Sequence, residues 1–198
     1  MAGRTSYESR LAELQIELPP PPQPLATYVP AVRAGDFLFL SGVLPMRDGQ
    51  LAISGKLGRD LTVEQGMEAA GLALLNALAI AKQELGTLDR IARVVKVVGH
   101  VASAEGFVQQ PQVLNGASDL LVAIFGEVGR HARVAVGAAE LPRGAPVEIE
   151  VIFFVSSLLF PTSQERGLTW VAGLTLEKTA CYSLIVPSLH VVSTLYPF

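Results

Sequence analysis

The chain has 198 residues, of which 50% are hydrophobic and 17% are charged, and its formal net charge is −3. A chain of this length and composition can bury one sizeable core, and an acidic balance without a basic block argues against nucleic acid as a partner. Its single cysteine, Cys181, excludes an intrachain disulfide framework and favours a reducing, cytoplasmic location. There is no run of 18 apolar residues, so we expect no spanning helix and no membrane partner.

The first 23 residues predict a short helix and an extended lead-in to the main domain. Ser6 can cap a helix over residues 6–18, because apolar side chains recur there at helical spacing. Glutamates in this stretch argue against a secretory signal. Five prolines between positions 19 and 24 then end the helix and impose an extended backbone. We interpret the segment as a spacer that lays the helix on the body; a ligand for a proline-binding module is the alternative.

Residues 24–155 predict the elements of one domain in the order β-β-α-β-α-β-β. Strands are expected at 28–34, 37–43, 91–101, 133–140 and 147–155, and helices at 62–85 and 113–125. The longer helix begins with the capping-box signature Thr62 and Gln65 and ends at Gly86. The order indicates the α+β class, with a mixed sheet that carries both helices on one face. The opposite face of the sheet must then pack against another surface, most simply that of other subunits.

Residues 156–198 differ from the body in composition. Only 4 of these 43 residues are charged, and Ser, Thr and Pro interrupt short apolar patches. The segment shows no helical period and only weak strand alternation. We therefore expect an appended tail, to which the sequence assigns no role.

The segment 133–150 carries the pattern with the clearest chemical meaning. It predicts two strands joined by a short turn, with Arg133 at the mouth of the first strand and Glu148 on the neighbouring strand. A guanidinium can grip a carboxylate through two parallel N–H···O bonds, and a nearby glutamate can orient a water molecule. The pair therefore predicts the beginning of a small-molecule site.

Each candidate residue also has a plain structural interpretation. Arg133 can be a surface arginine at a strand end. Glu148 and Glu150, which share a strand face by alternation, can belong to a salt-bridged sheet face. Asn115 can be a helix cap, and Tyr28 can be a half-buried aromatic.

The two histidines of the body, His100 and His131, leave a ribonuclease interpretation open, because paired histidines can act as acid and base. His131 lies two residues before Arg133. The alternative is a loop histidine beside the mouth of a cleft. No HxH, HExxH or CxxC spacing occurs in the sequence, so no metal site is expected, and it also lacks Gly-rich phosphate loops.

Several short pieces of the body occur together in a recognisable order and spacing. They are Tyr28-Val29-Pro30, Phe39-Leu40-Ser41-Gly42-Val43-Leu44-Pro45, Asn115-Gly116-Ala117, Ala132-Arg133 with Leu141-Pro142, and Val147-Glu148-Ile149-Glu150. In combination they resemble the Rid family of reactive-intermediate deaminases, also called the YjgF family and often described as L-PSP endoribonucleases. The resemblance runs from residue 23 to residue 155. The runs 18–22 and 115–121 resemble one branch of that family.

The resemblance implies a chorismate-mutase-like fold and a homotrimer whose three sites lie in clefts between subunits. It implies hydrolysis of 2-imino and enamine acids, such as 2-aminoacrylate, to 2-keto acids and ammonia, with no metal and no organic cofactor. By position, Arg133 matches the family's carboxylate-binding arginine, and Glu148 matches the glutamate near the attacking water. The residues that match the substrate-binding cleft are Tyr28, Ser41, Gly42 and Asn115.

The chain departs from the best-studied members directly after the arginine. Those members often carry Ser or Thr next and a cysteine two positions on, where this chain has Val134 and Ala135. Assistance from a thiol is therefore not expected, which affects rate and substrate range. Because Arg133 is kept, an anionic ligand is still expected. The alternative functions are a non-catalytic protein that binds a small carboxylate in the same cleft and an endoribonuclease that inhibits translation.

Overall fold

A computed structural model describes residues 6–24 and 26–156. It confirms the predicted order β-β-α-β-α-β-β and the predicted N-terminal helix, and it adds a small two-stranded hairpin. The helices are α1 (Tyr7–Glu13), α2 (Val63–Leu85) and α3 (Gln110–Phe125). The strands are β1 (Ala31–Ala34), β2 (Phe37–Leu40), β3 (Met46–Arg47), β4 (Gln50–Leu51), β5 (Ile91–Ala102), β6 (Ala132–Ala138) and β7 (Val147–Val155). Beyond Ser156 the predicted tail lies outside the described residues, so its boundary stays a prediction.

The main sheet has five strands in the order β1-β2-β7-β5-β6, and only β5 and β6 run parallel. The predicted mixed sheet is confirmed. However, the prediction that the strands of Arg133 and Glu148 are neighbours is wrong, because β5 lies between β6 and β7. The connection over residues 139–146 is longer than the two-residue turn of a tight hairpin and passes the end of β5. The strongly apolar β7 thus takes the central place, and β6 becomes an edge strand.

Both long helices cover one face of the sheet, as predicted. The side chains of β5 and β7 on that face are fully buried, namely Val94, Val97, Val101, Val147, Ile149, Val151 and Phe153. The opposite face, which we call the open sheet face, carries large apolar side chains that are 36–53% exposed: Val32, Phe37, Phe39, Val134, Val136 and Phe154. The rings of Phe39 and Phe154 both lie beside that of Phe37, and an exposed apolar patch of this kind is typical of an interaction site.

α2 matches its prediction at both ends. The Thr62 hydroxyl accepts from the Gln65 backbone N–H at 3.3 Å, and the Gln65 side chain accepts from the Thr62 N–H at 2.9 Å. Gly86 ends the helix with φ of 80°. The buried face of α2 includes one polar side chain, Asn76, whose amide donates to the carbonyl of Met46 at 2.8 Å. Within residues 6–24 and 26–156, no helix combines the length and apolarity needed to cross a membrane.

Other element ends differ from their predictions. The first two strands are shorter than predicted: the proline at 30 cannot donate to a ladder, and the second strand ends at Leu40. α1 is shorter because Gln15 adopts a left-handed φ of 55°. α3 begins earlier, at Gln110, because Pro111 suits the first turn of a helix. The last residues predicted for β6 belong to the loop after Ala138.

α1 packs on the body, in agreement with the spacer interpretation of the lead-in. The ring of Tyr7 lies edge-on to Phe125 with centroids 4.5 Å apart, and the Tyr7 N–H donates to Asp89 at 2.6 Å. Glu8 forms an ion pair with Lys82 of α2 at 2.6 Å. These contacts fix the helix at the ends of α2 and α3.

Gly116 lets α2 and α3 approach closely. A methyl group on Gly116 would overlap with the backbone carbonyl of Met67. An exchange of Gly for Ala inside a helix ordinarily stabilises by about 1 kcal/mol, whereas overpacking costs roughly 1–3 kcal/mol. Because a backbone atom cannot swing aside, we expect Gly116→Ala to lower the free energy of unfolding in urea titrations. Gly71→Ala is the matched control, since its new methyl would meet the nearest atom at an ordinary 3.5 Å. Equal stability of the two variants would contradict this account.

Candidate functional site

The structure divides the predicted site residues between two places. The first, which we call the arginine cluster, lies between β6 and α3 and contains Asn115, Ser118, His131 and Arg133. The second, which we call the glutamate cleft, lies at the end of β2, where the carboxylate of Glu148 lies against Gly42. Tyr28, Ser41 and Gly42 also line an adjoining pocket, which Glu148 does not line.

Two side chains of α3 hold the guanidinium of Arg133, the second residue of β6. Its Nη1 donates to Oδ1 of Asn115 at 2.9 Å and to Oγ of Ser118 at 3.0 Å. The two acceptors are three residues apart and therefore lie on one face of the helix. Asn115 is the sixth residue of α3, so its interpretation as a helix cap is wrong. Its amide oxygen fixes the arginine instead.

One edge of the guanidinium is free for a ligand. The bonds to Asn115 and Ser118 use both protons of Nη1. Among the residues that the structure describes, Nε and Nη2 of Arg133 donate to no partner. These two nitrogens form one edge of a planar group whose spacing matches a carboxylate. The arginine is thus held in place with a recognition edge available.

His131 lies behind the cluster as a neutral imidazole. Its Nδ1 is 2.7 Å from the carbonyl of Gly129, and its Nε2 is 3.1 Å from Oγ of Ser118. A carbonyl only accepts, so Nδ1 carries the proton and Nε2 accepts from the serine. Burial lowers the pKa of His131; the bond to Gly129 opposes this shift, and the charge of Arg133 adds to it. Such a histidine is a poor general acid near neutral pH.

The glutamate cleft has a fixed backbone and adjoins an apolar pocket. The Ser41 hydroxyl donates to the carbonyl of Val29 at 2.8 Å, which ties the end of β2 to the preceding loop. Tyr28 stands at the rim and is 44% exposed. The adjoining pocket is lined by Pro30, Val43, Met46 and Ile80. Val43 pairs with the fully buried Ile149, so this pocket lies on the helix-covered side of the strand end, whereas Glu148 faces the other side.

Glu148 is half-buried with its carboxylate against Gly42, where a side chain of any other residue would overlap with it. Burial raises the pKa of Glu148; His100 acts to lower this pKa, and Glu150 acts to raise it. Nε2 of His100 lies 3.3 Å from Oε1 of Glu150, so the three groups form one cluster. A carboxylate with a raised pKa is a stronger base than an ordinary glutamate and is suited to accept a proton from water.

Arg133 and Glu148 lie on opposite faces of the sheet. Directly paired residues of neighbouring strands present their side chains to the same face. Arg133 pairs with the fully buried Val97 on the helix-covered face. Glu148 pairs with His100, which pairs in turn with the exposed Val136 of the open sheet face. One chain by itself therefore does not present both side chains to one small ligand.

The sequence interpretation missed Ser118. The available signal was its position one helical turn after Asn115, on the same face of the helix. Ala135, two residues after Arg133, shares the helix-covered face and packs against the core, so it adds no polar group to the arginine cluster. In the described part of the chain, no group of three or more His, Cys, Asp or Glu side chains is arranged so that it could hold a metal ion.

We expect Gly42→Ala to displace the carboxylate of Glu148 with little loss of stability. The atom that a new methyl would meet is the end of a flexible side chain, which can swing away. The free energy of unfolding should change by less than about 1 kcal/mol, as for substitutions outside the core. Crystal structures of the variant and the parent protein measure the shift of the carboxylate. An unmoved Glu148, or a variant that no longer folds, would contradict this expectation.

A family model described as "YjgF/chorismate mutase-like, putative endoribonuclease" matches residues 8–153. Protein TCP17 of Trypanosoma cruzi is 45% identical over 152 residues, which cover 76% of this chain and 94% of that protein. The match to the family model thus spans most of the chain, including both parts of the candidate site.

Solved structures are similar over the same region. Protein Atu1372 from Agrobacterium tumefaciens, whose function is unknown, has a TM-score of 0.71 and 46% identity, covering 76% of this chain and 92% of that one. RidA from the Antarctic bacterium Psychrobacter sp. PAMC 21119 has a TM-score of 0.50 and 28% identity, covering 68% of this chain and 94% of that one. With its chorismate-mutase-like fold, the chain belongs to the YjgF family, also called the Rid family.

Proposed function

We propose that the protein hydrolyses reactive 2-imino and enamine acids, such as 2-aminoacrylate, to 2-keto acids and ammonia. The observation that carries the proposal is the free Nε–Nη2 edge of Arg133, held in place by Asn115 and Ser118. Hydrogen bonds to charged groups contribute about 1.5–3 kcal/mol each. Two such bonds are enough to hold a small carboxylate in one orientation.

The reaction needs modest acid–base assistance because an imine carbon is already electrophilic. An enamine first gains a proton at carbon and loses one from nitrogen, which gives the imine. Water then forms a C–O bond to the imine carbon while Glu148 takes a proton from the water and the nitrogen gains one. In the resulting carbinolamine the nitrogen gains a further proton and the hydroxyl group loses its own, so the C–N bond breaks as the carbonyl forms and ammonia leaves. The grip of Arg133 on the substrate carboxylate places the imine carbon beside the water, which is catalysis by proximity.

The proposed site lies between subunits of a homotrimer. Because Arg133 and Glu148 face opposite sides of the sheet, a substrate that contacts both requires the two residues from different copies of the chain. The open sheet face supports this arrangement, since it carries apolar side chains that association would remove from water. Light scattering on the purified protein tests the trimer, and a stable monomer at micromolar concentration would contradict it.

Mixing two inactive variants tests whether the site is shared. We expect neither Arg133→Ala nor Glu148→Gln to hydrolyse the substrate when it is assayed without the other variant. In randomly mixed cyclic trimers, about a quarter of the sites between subunits combine an intact arginine with an intact glutamate. After subunit exchange, the mixture should therefore regain activity. Mixed trimers that are visible by native mass spectrometry but stay inactive would place the pair within one subunit.

Ala135 favours one alternative, a non-catalytic protein that binds a small carboxylate in the same place, because no thiol is available to assist a reaction. The neutral, hydrogen-bonded His131 disfavours the endoribonuclease alternative. Both the enzyme and the binding protein should be stabilised against heat by millimolar 2-oxobutyrate. Cleavage of single-stranded RNA that depends on His131, without such stabilisation, would support the ribonuclease instead. A single cysteine is typical of a reducing compartment, so the cytoplasm is still the predicted location.

A further inference from the structure

A chain of hydrogen bonds links the backbone to Arg133 through two residues that the proposed reaction does not use. The carbonyl of Gly129 accepts from Nδ1 of His131 at 2.7 Å. Nε2 of His131 lies 3.1 Å from Oγ of Ser118. The same oxygen accepts from Nη1 of Arg133 at 3.0 Å. Ser118 belongs to α3 and Arg133 to β6, and Gly129 and His131 lie in the turn that precedes β6.

The direction of each bond follows from the chemistry of the groups. Since the Gly129 carbonyl has no proton, His131 donates from Nδ1, and in the neutral imidazole Nε2 then accepts. The Ser118 hydroxyl therefore donates to His131, which leaves its lone pairs for Arg133. Burial and the charge of Arg133 keep the imidazole neutral, as this pattern requires. No donor faces a donor anywhere in the chain of bonds.

The bond to His131 prevents the hydroxyl group of Ser118 from adopting other orientations. A serine inside a helix can rotate its hydroxyl to donate to the backbone carbonyl one turn earlier. When the hydroxyl instead donates to His131, its oxygen stays directed at Arg133. Because a guanidinium is planar, an oriented Nη1 also fixes the direction of the free Nε–Nη2 edge.

We propose that Ser118 and His131 are positioning residues for the anion-binding edge of Arg133, with His131 acting through Ser118. The proposal deepens the proposed function and rests on it for the identity of the ligand, a small 2-keto or 2-imino acid. Asn115 supplies the second restraint on Nη1, so the loss of Ser118 should weaken the grip without abolishing it.

Calorimetric titration with 2-oxobutyrate at neutral pH tests the proposal. Ser118→Ala and His131→Phe should each weaken binding about tenfold, the magnitude of one hydrogen bond. His131→Gln, whose side-chain oxygen can accept near the position of Nε2, should restore most of the affinity that His131→Phe loses. The double variant Ser118→Ala/His131→Phe should bind no more weakly than Ser118→Ala, because His131 has nothing left to act through. Additive losses, or wild-type affinity in the single variants, would overturn the proposal.

A second measurement separates this proposal from the proposed function. In ¹⁵N NMR spectra, the free protein should show His131 as the Nδ1–H tautomer and distinct, slowly exchanging Nη signals for Arg133, which the Arg133→Ala spectrum identifies. His131→Phe and Ser118→Ala should both speed that exchange. If the wild type does not bind 2-oxobutyrate, the proposed function is wrong. The positioning role of Ser118 and His131 is tested separately, by these spectra of the free protein. Arg133 signals in His131→Phe that equal those of the wild type would refute it.

Discussion

Replacing Arg133 by alanine is expected to abolish binding of 2-keto acids and hydrolysis of imino acids while the fold persists. The substitution removes both hydrogen bonds to the substrate carboxylate, worth about 1.5–3 kcal/mol each, so affinity should fall roughly 10²–10⁴-fold. The residue lies at the start of an edge strand, and its loss leaves only Asn115 and Ser118 without their donor. Stability should therefore fall by only about 1–3 kcal/mol. Calorimetric titration with 2-oxobutyrate and urea unfolding measure the two effects.

Arg133→Lys is the matched control for charge. Lysine keeps the positive charge but has a single ammonium nitrogen. It cannot donate to Asn115 and Ser118 from one nitrogen and bind a carboxylate through two others, as the guanidinium does. We expect it to bind almost as weakly as the alanine variant. Near wild-type turnover in either variant would mean that Arg133 is not the anchor.

Glu148→Gln should lower the turnover number by about 10²–10⁴-fold, the usual contribution of a positioned general base. The amide has nearly the same shape and cannot take a proton from water, so substrate binding should change much less. Initial rates over a range of substrate concentrations separate the two effects. A fall in affinity without a fall in turnover would assign Glu148 to binding.

The pH profile gives an independent check on Glu148. The base must be ionised, so activity should rise with pH through its pKa, which burial raises above the ordinary value for glutamate. Glu150→Gln removes a neighbouring negative charge and should move this rise to lower pH. His100→Gln removes a group that lowers the pKa of Glu148 and should move the rise to higher pH. Shifts in the reverse directions would contradict the assignment.

Local patterns in the sequence were sufficient for most elements of the fold. α2 followed from Thr62, Gln65 and Gly86, since caps act within one helical turn. β7 followed from the alternation over 147–150 and from the apolar, β-branched and aromatic run that continues to Val155. The true start of α3 was missed because its signal, Pro111 in the first turn, was not recognised.

Contacts between residues far apart in the sequence were harder to predict. The insertion of β5 between β6 and β7 depends on strand pairing across 30 or more residues, which no local pattern encodes. For the same reason, the sequence identified Arg133 and Glu148 but placed them on neighbouring strands. The bonds from Arg133 to Asn115 and Ser118 depend on how α3 packs against β6, so Asn115 was identified through the family resemblance and Ser118 was missed.

The central claim is that this protein hydrolyses imino acids. Its most direct test is the rate of keto-acid release from 2-iminobutyrate that is generated enzymatically, measured with the purified protein and without it, and with Arg133→Ala as the protein control. We predict that the wild type accelerates release in proportion to its concentration and that Arg133→Ala does not. A rate equal to the spontaneous one at every concentration of the wild type would contradict the claim and leave a carboxylate-binding protein as the function.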